Sequence, residues 1–245
     1  MHFSSFVASV LALTSSVVAV EKGFNYGATN ADTSCRKYED FYRMYTRSRN
    51  LAGAPGFTSA RLYTSIQCGS DNAPIEAIKA GLDTSTNLLL GLWASAGQGL
   101  ITNEIIAIKD AATRWPQQMK ARVKGISVGS EDMYRASPEG QQNGSGAGAT
   151  QQEIINYIQQ LRTALKGTAL EGVPIGHVDT LTGWTVGQNK NVINNVDWLG
   201  FNGFPYFETT KPNGVRQGAK LFQTGLSALE AVSNGKPVWV TETVS

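Results

Sequence analysis

Two glutamates stand at the ends of apolar runs. Residues 122–132 read RVKGISVGSED and residues 236–243 read KPVWVTET, so Glu131 and Glu242 each close a strand-like stretch. A carboxylate at the tip of a buried strand is costly to desolvate and is seldom placed there for packing. On separate strands of one parallel sheet, two such groups can face each other across a cleft. Paired carboxylates supply what glycosidic bond cleavage needs: one protonates the leaving oxygen, the other attacks or activates water.

Other chemistries have less support. The two histidines, His2 and His177, are far apart and cluster with no cysteines, so no metal site is expected. His177 reads as a strand residue with its polar atoms satisfied. A Ser-His-Asp hydrolase also has little support. The first strand runs into GFNYGATN, which lacks the GxGxxG phosphate fingerprint, and no cofactor is expected.

The elements that must carry the two glutamates alternate in type. Near-continuous apolar or small runs fall at 23–28, 59–65, 87–94, 123–129, 173–179, 198–206 and 237–243, the pattern of parallel strands buried on both faces. Helical stretches separate them. Ser34 precedes CRKYEDFYRMYTRSRNLA, ended by Gly53, and Pro74 is placed as a first-turn proline before IEAIKAGL. Thr150 and Glu153 form a capping box that opens a helix closed by Gly167. Leu221, Phe222, Leu226, Leu229 and Val232 make one apolar stripe ended by Gly235, and Pro116 should break the helix between residues 102 and 120. Strands alternating with helices predict right-handed βαβ units, arranged as an open sheet or as most of a (β/α)8 barrel. In barrels the active site lies at the C-terminal strand ends, where Glu131 and Glu242 fall.

The chain has 245 residues, enough for one α/β-barrel domain. Charged residues make up 16% and the net charge is +2, which offers no electrostatic footprint for nucleic acid or an anionic membrane. Residues 1–20 carry no Lys, Arg, Asp or Glu, and small residues precede Glu21. This reads as a signal peptide over residues 1–19, leaving 20–245 as the catalytic domain of a secreted protein with no membrane attachment after cleavage. Cys35 follows the first predicted strand and Cys68 the second, at the same end of neighbouring strands. In a secreted chain they should be bridged. Asn143-Gly144-Ser145 is the only N-glycosylation sequon, inside a glycine-rich loop.

The segments GFNYGAT, SARLYTS, GISVGSEDMYR, WLGFNGFPYF and VWVTET, in this order, resemble fungal glycoside hydrolase family 17, the cell-wall β-1,3-glucanases and related glucanosyltransferases. The resemblance covers residues 23–243 and implies a retaining (β/α)8 glycosidase acting on β-glucan. It makes Glu131, after strand four, the acid/base and Glu242, after strand seven, the nucleophile. Two positions depart from the family pattern. Many members carry Asn before the acid/base glutamate, where this chain has Ser130. The family continues TETGWP and adds an eighth strand and helix, where this sequence reads TETVS. The resulting expectation is a C-terminally incomplete barrel whose first and last strands expose edges, with lowered stability.

A glucan cleft would also use the residues at the strand ends. Tyr26, Tyr63, Trp93, Tyr134, Tyr206 and Phe207 are candidates to stack on glucose rings. Arg61, inside an apolar strand, needs a carboxylate partner, either Glu242 or a structural one elsewhere. Asn202 is placed to bond a sugar hydroxyl, a catalytic carboxylate or barrel backbone. The expected activity is endo-β-1,3-glucan hydrolysis by a monomer. The alternatives are glucan transfer through the same residues, or a wall protein that binds glucan without turnover.

Overall fold

A computed structural model describes residues 21–208 and 210–243; the leader expected over residues 1–19 lies outside them. The described residues form seven strands: β1 Gly23–Tyr26, β2 Ser59–Leu62, β3 Asn87–Leu92, β4 Val123–Ser130, β5 Ile175–Thr180, β6 Trp198–Gly203 and β7 Val238–Thr243. All neighbours are parallel and the spatial order follows the chain order. The Asn25 amide on β1 donates to the Thr241 carbonyl on β7 at 2.9 Å, so the sheet curls until its two ends nearly meet. The result is seven strands of an incomplete (β/α)8 barrel. Each expected strand exists, although several are shorter: β2 stops at Leu62 and β6 at Gly203, where the chain turns away to build the site.

The strands enclose a filled core. Trp198 and Trp239 stack with ring centroids 4.2 Å apart, and a Cβ on Gly125 would meet Trp239 at 2.9 Å. Gly125 lies on β4 and Trp239 on β7, so the indoles fill the space between opposite walls. Gly176 makes the same allowance beside Trp198, where a Cβ would fall 2.4 Å from the ring. Outside the sheet, the helices bury Phe41, Ile78, Ile101, Ile108, Ile158 and Leu161 against it.

The start and stop signals explain most helix limits. Thr150 accepts from the Glu153 amide, and Glu153 accepts from the Thr150 amide at 2.8 Å, opening the helix Gln151–Leu165. One helix ends at Arg114, and Pro116 opens the next, Pro116–Arg122. Two starts differ from expectation. The helix expected directly after Ser34 begins at Tyr38, because Ser34 bonds Asp32 through its amide and hydroxyl at 3.0 and 2.6 Å. Cys35 is meanwhile held in a bridge to Thr29. Pro74 pairs with Ile66 ahead of the helix Glu76–Asp83 rather than sitting in its first turn.

Cys35 and Cys68 form a disulfide with Cα atoms 5.3 Å apart. It ties the segment after β1 to the segment after β2, and the chain-entropy model gives a loop of this length about 3–4 kcal/mol.

Candidate active site

The C-terminal end of β4 sets the first carboxylate. The β4–β5 register shifts between Ser127 and Ser130, and such an irregularity re-aims the side chains that follow. Gly129 has φ +82°, and a Cβ there would lie 2.1 Å from Asp132 Oδ2, so only glycine fits. Glu131 is itself left-handed, at φ 61°. A non-glycine residue in that region costs roughly 1–2 kcal/mol, so the surroundings must hold it.

A buried polar network does so. The Glu131 amide donates to the Val178 carbonyl on β5 at 2.8 Å. Asp132 accepts from the Ser130 amide at 2.6 Å and from the Ser95 hydroxyl at 2.5 Å. Asp179 accepts from the Met133 amide at 3.0 Å and from His177 Nε2 at 3.0 Å. His177 Nδ1 lies 2.6 Å from the Val128 carbonyl, which can only accept, so Nδ1 carries a proton. Burial opposes a charge on His177. The hydrogen bond and charge of Asp179, then the charge of Asp132, outweigh it and raise the imidazole above its usual range. His177 is thus a satisfied core residue, as expected from the sequence.

The Glu131 carboxyl looks out over this network. It accepts from the Asn202 amide at 3.0 Å, and an Arg135 nitrogen stands 3.7 Å from its other oxygen. Burial pushes the acid above the ordinary glutamate value. Asn202 acts against that, the charges of Glu242 and Asp179 add to it, and Arg135 opposes it. Asn202 is oriented by the Thr241 hydroxyl, which donates to its carbonyl at 2.8 Å and leaves the amide facing Glu131.

The second carboxylate has a different neighbour. Arg61, on β2 and only 5% exposed, donates to Glu242 at 2.6 Å and to the Ser130 hydroxyl at 3.0 Å. Its guanidinium lies 4.8 Å over the Tyr63 ring. Of the partners expected for Arg61, the structure places Glu242 against it. One arginine therefore ties the Glu242 carboxylate to the residue that precedes Glu131.

Both glutamates line a cavity of about 300 Å³, together with Tyr63, Trp93, Ser95 and Arg135. Aromatic rings and two carboxylates lining one cavity suit a polyhydroxyl ring. Other expected site residues lie elsewhere. Tyr206 and Phe207 sit in the turn Pro205–Phe207 after β6, exposed and edge-on to each other at 5.2 Å. Tyr134 points to the loop, where its hydroxyl accepts from the Asn143 amide at 3.0 Å. Tyr26 is not at the rim: it is buried edge-on against Tyr45 at 4.9 Å. Strand alternation explains this, because Asn25 takes the inward position and turns Tyr26 to the helices.

Four contributors escaped the sequence reading. Arg135 follows Glu131 by four residues on a helix, a spacing that signals contact. Asp132, next to Glu131 in the sequence, has its carboxylate buried beneath the turn. Thr241 acts through Asn202, and Ser95 carries no sequence signal.

A nearly closed parallel barrel with paired glutamates at its C-terminal mouth defines a glycoside-hydrolase type of site. The chain belongs to the BtgE/BtgC glycoside hydrolase domain family, whose pattern matches residues 23–244. It is 47% identical over 243 residues to the "Probable glucan endo-1,3-beta-glucosidase eglC" of Aspergillus oryzae, covering 99% of this chain and 52% of that one. It is 25% identical to the "Glucan 1,3-beta-glucosidase" of Saccharomyces cerevisiae, covering 99% of this chain and 75% of that one. The chain thus spans about half the length of the Aspergillus relatives it matches. Among solved structures, ScGas2 in complex with compound 12 aligns with TM-score 0.58 at 14% identity, covering 91% of this chain and 49% of that one. A β-glucuronidase from Ruminococcus gnavus aligns at TM-score 0.55 and 10% identity, covering 91% and 35%. At these identities the structural likeness concerns the fold alone.

Proposed function

We propose that the protein is a retaining endo-β-1,3-glucan hydrolase of glycoside hydrolase family 17 type. The observation that carries this reading is the unequal treatment of two glutamates in one cavity. Burial favours the protonated form of Glu131, whereas Arg61 sets a positive charge against Glu242. Unequal environments of this kind separate an acid from a nucleophile.

In the first step Glu242 attacks the anomeric carbon while Glu131 gives its proton to the departing glycosidic oxygen. A glycosyl ester forms on Glu242 and the leaving glucan takes the proton. In the second step Glu131, now a base, takes a proton from water, which cleaves the ester with net retention. Asn202 holds Glu131 towards the bond in both steps. Tyr63 and Trp93 stack on the ring, and the exposed Tyr206 and Phe207 offer a platform further along the chain of sugars. The names of the relatives favour hydrolysis over transfer.

The same reading places the protein outside the cell as a monomer released from its leader, in keeping with the Cys35–Cys68 disulfide. Asn143 is exposed and carries the sequon, so it is the proposed glycan site. The test is to incubate the full-length protein with a defined laminari-oligosaccharide and follow products and anomeric configuration by NMR. Shorter products of retained configuration are expected. Inverted products would overturn the double displacement, and products longer than the substrate would replace hydrolysis with transfer.

A further inference from the structure

Glu104 is a carboxylate that the proposed reaction does not use, and it is fully buried. It lies on the helix Gln98–Arg114, outside the barrel, yet it reaches the mouth. Its oxygens accept from the Thr64 hydroxyl at 2.5 Å, the Ser65 amide at 2.7 Å and the Trp93 amide at 3.2 Å. Thr64 and Ser65 follow directly on Tyr63 at the end of β2, and Trp93 is the first residue beyond β3. The acid therefore joins the chain segments that carry both aromatic residues of the cavity wall.

The strands beneath are built to meet at this point. A Cβ on Gly91 of β3 would lie 2.2 Å from the Leu62 carbonyl and 3.0 Å from the Tyr63 carbonyl carbon. Ser65 also donates to the Gly91 carbonyl at 3.0 Å. Glycine lets the two backbones close, and Glu104 fastens them from the helix side. Burial is the main influence on the acid and pushes it up to about 7, while its three hydrogen-bond donors act to lower it. A buried carboxylate is expensive to keep for packing alone, since an apolar residue would fill the volume at less cost.

We infer that Glu104 is a positioning residue: it sets the spacing and tilt of Tyr63 and Trp93 and thereby the affinity of the glucan-binding wall. Tyr63 also lies under Arg61, the partner of Glu242, so the same clasp steadies the nucleophile side of the cavity. The inference rests on the reading of this cavity as a glucan cleft.

The experiment compares the full-length wild type with Glu104→Gln and Thr64→Val. Gln keeps the shape but sets an NH2 against backbone N–H groups, and Thr64→Val removes a single arm of the clasp. Both are assayed on laminari-oligosaccharides for kcat and KM, with cooperative thermal unfolding as the folding control. The expected result is a KM raised about tenfold for Glu104→Gln, and less for Thr64→Val, with kcat changed by less than about threefold. Such a split marks lost binding that ground and transition states share. Glu104→Asp, which keeps a carboxyl group on a shorter arm, should recover part of the affinity. Wild-type KM in folded Glu104→Gln would overturn the inference, as would a fall in kcat with unchanged KM. If Glu104→Gln does not fold, wild-type KM in Thr64→Val would overturn it equally. A wild-type protein that neither binds nor cleaves these oligosaccharides would instead remove the functional reading itself.

Discussion

Glu131 and Glu242 share one cavity but answer to different neighbours, and the difference is testable residue by residue. Glu131 is an acid held up by burial, steadied by Asn202 and moderated by Arg135. In the proposed mechanism, replacing it with alanine removes the proton donor, and turnover of unactivated glucan should fall roughly a hundredfold or more. Substrates with good leaving groups need little protonation, so they should retain activity, and added azide should restore part of it. Glu242→Ala should lose both classes of substrate and form no covalent intermediate, which mass spectrometry with a slow fluorosugar substrate would detect. Arg135 gives a finer test. Its positive charge opposes the rise of the Glu131 pKa, so Arg135→Ala should raise that pKa further. The basic limb of the kcat/KM profile would then move to higher pH. A basic limb unmoved or shifted to lower pH would separate Arg135 from the acid.

At the scale of elements, the site depends on how β4 ends. The irregular register, Gly129 at positive φ and the left-handed Glu131 turn the chain inward within three residues. Gly129→Ala should destabilise the fold by about 1–3 kcal/mol and displace Asp132, because both its φ and the space around it exclude a side chain. Denaturant unfolding and activity should therefore drop together. The existence and order of these elements were legible in the sequence, because apolar runs and turn signals are local. Glu131 and Glu242 were legible for the same reason: each is a charge at the end of such a run. What could not be read was the direction of individual side chains where strands stop. Tyr26 looked like a rim aromatic, but the strand gives the inward place to Asn25 and sends Tyr26 against Tyr45. Tyr134 lies one helical turn from the cavity wall and reaches Asn143 instead. Glu104 was invisible, since nothing in a helix sequence says that one acid bends over the ends of two strands.

At the scale of the whole molecule, three acids and one histidine in or beside the buried network shift in the same direction. Burial raises Glu104 to about 7 and also raises Glu131 and Asp132. His177 is raised too, with burial opposing and the charges of Asp179 and Asp132 prevailing. For each of these groups the folded protein holds its proton more tightly than the unfolded chain does. Their contribution to stability is therefore complete below the unfolded pKa and is lost as pH rises through the folded one. For Glu104 that window runs from the ordinary glutamate value to about 7. The loss across it is on the order of 3 kcal/mol. The acids shifted the other way, Asp32, Asp40, Asp83 and Glu153, sit at or near the surface, where solvent screens them and their opposing effect is small. The expected outcome is a melting temperature that peaks near pH 5 (about one unit either way) and declines towards pH 8. Calorimetry across that range checks it, and Glu104→Gln should flatten the decline because the replaced group no longer titrates. A wild-type melting temperature that climbs from pH 5 to pH 8 would mean that these buried acids are not held protonated in the fold. Glu131 would then lose the environmental argument for its role as the acid.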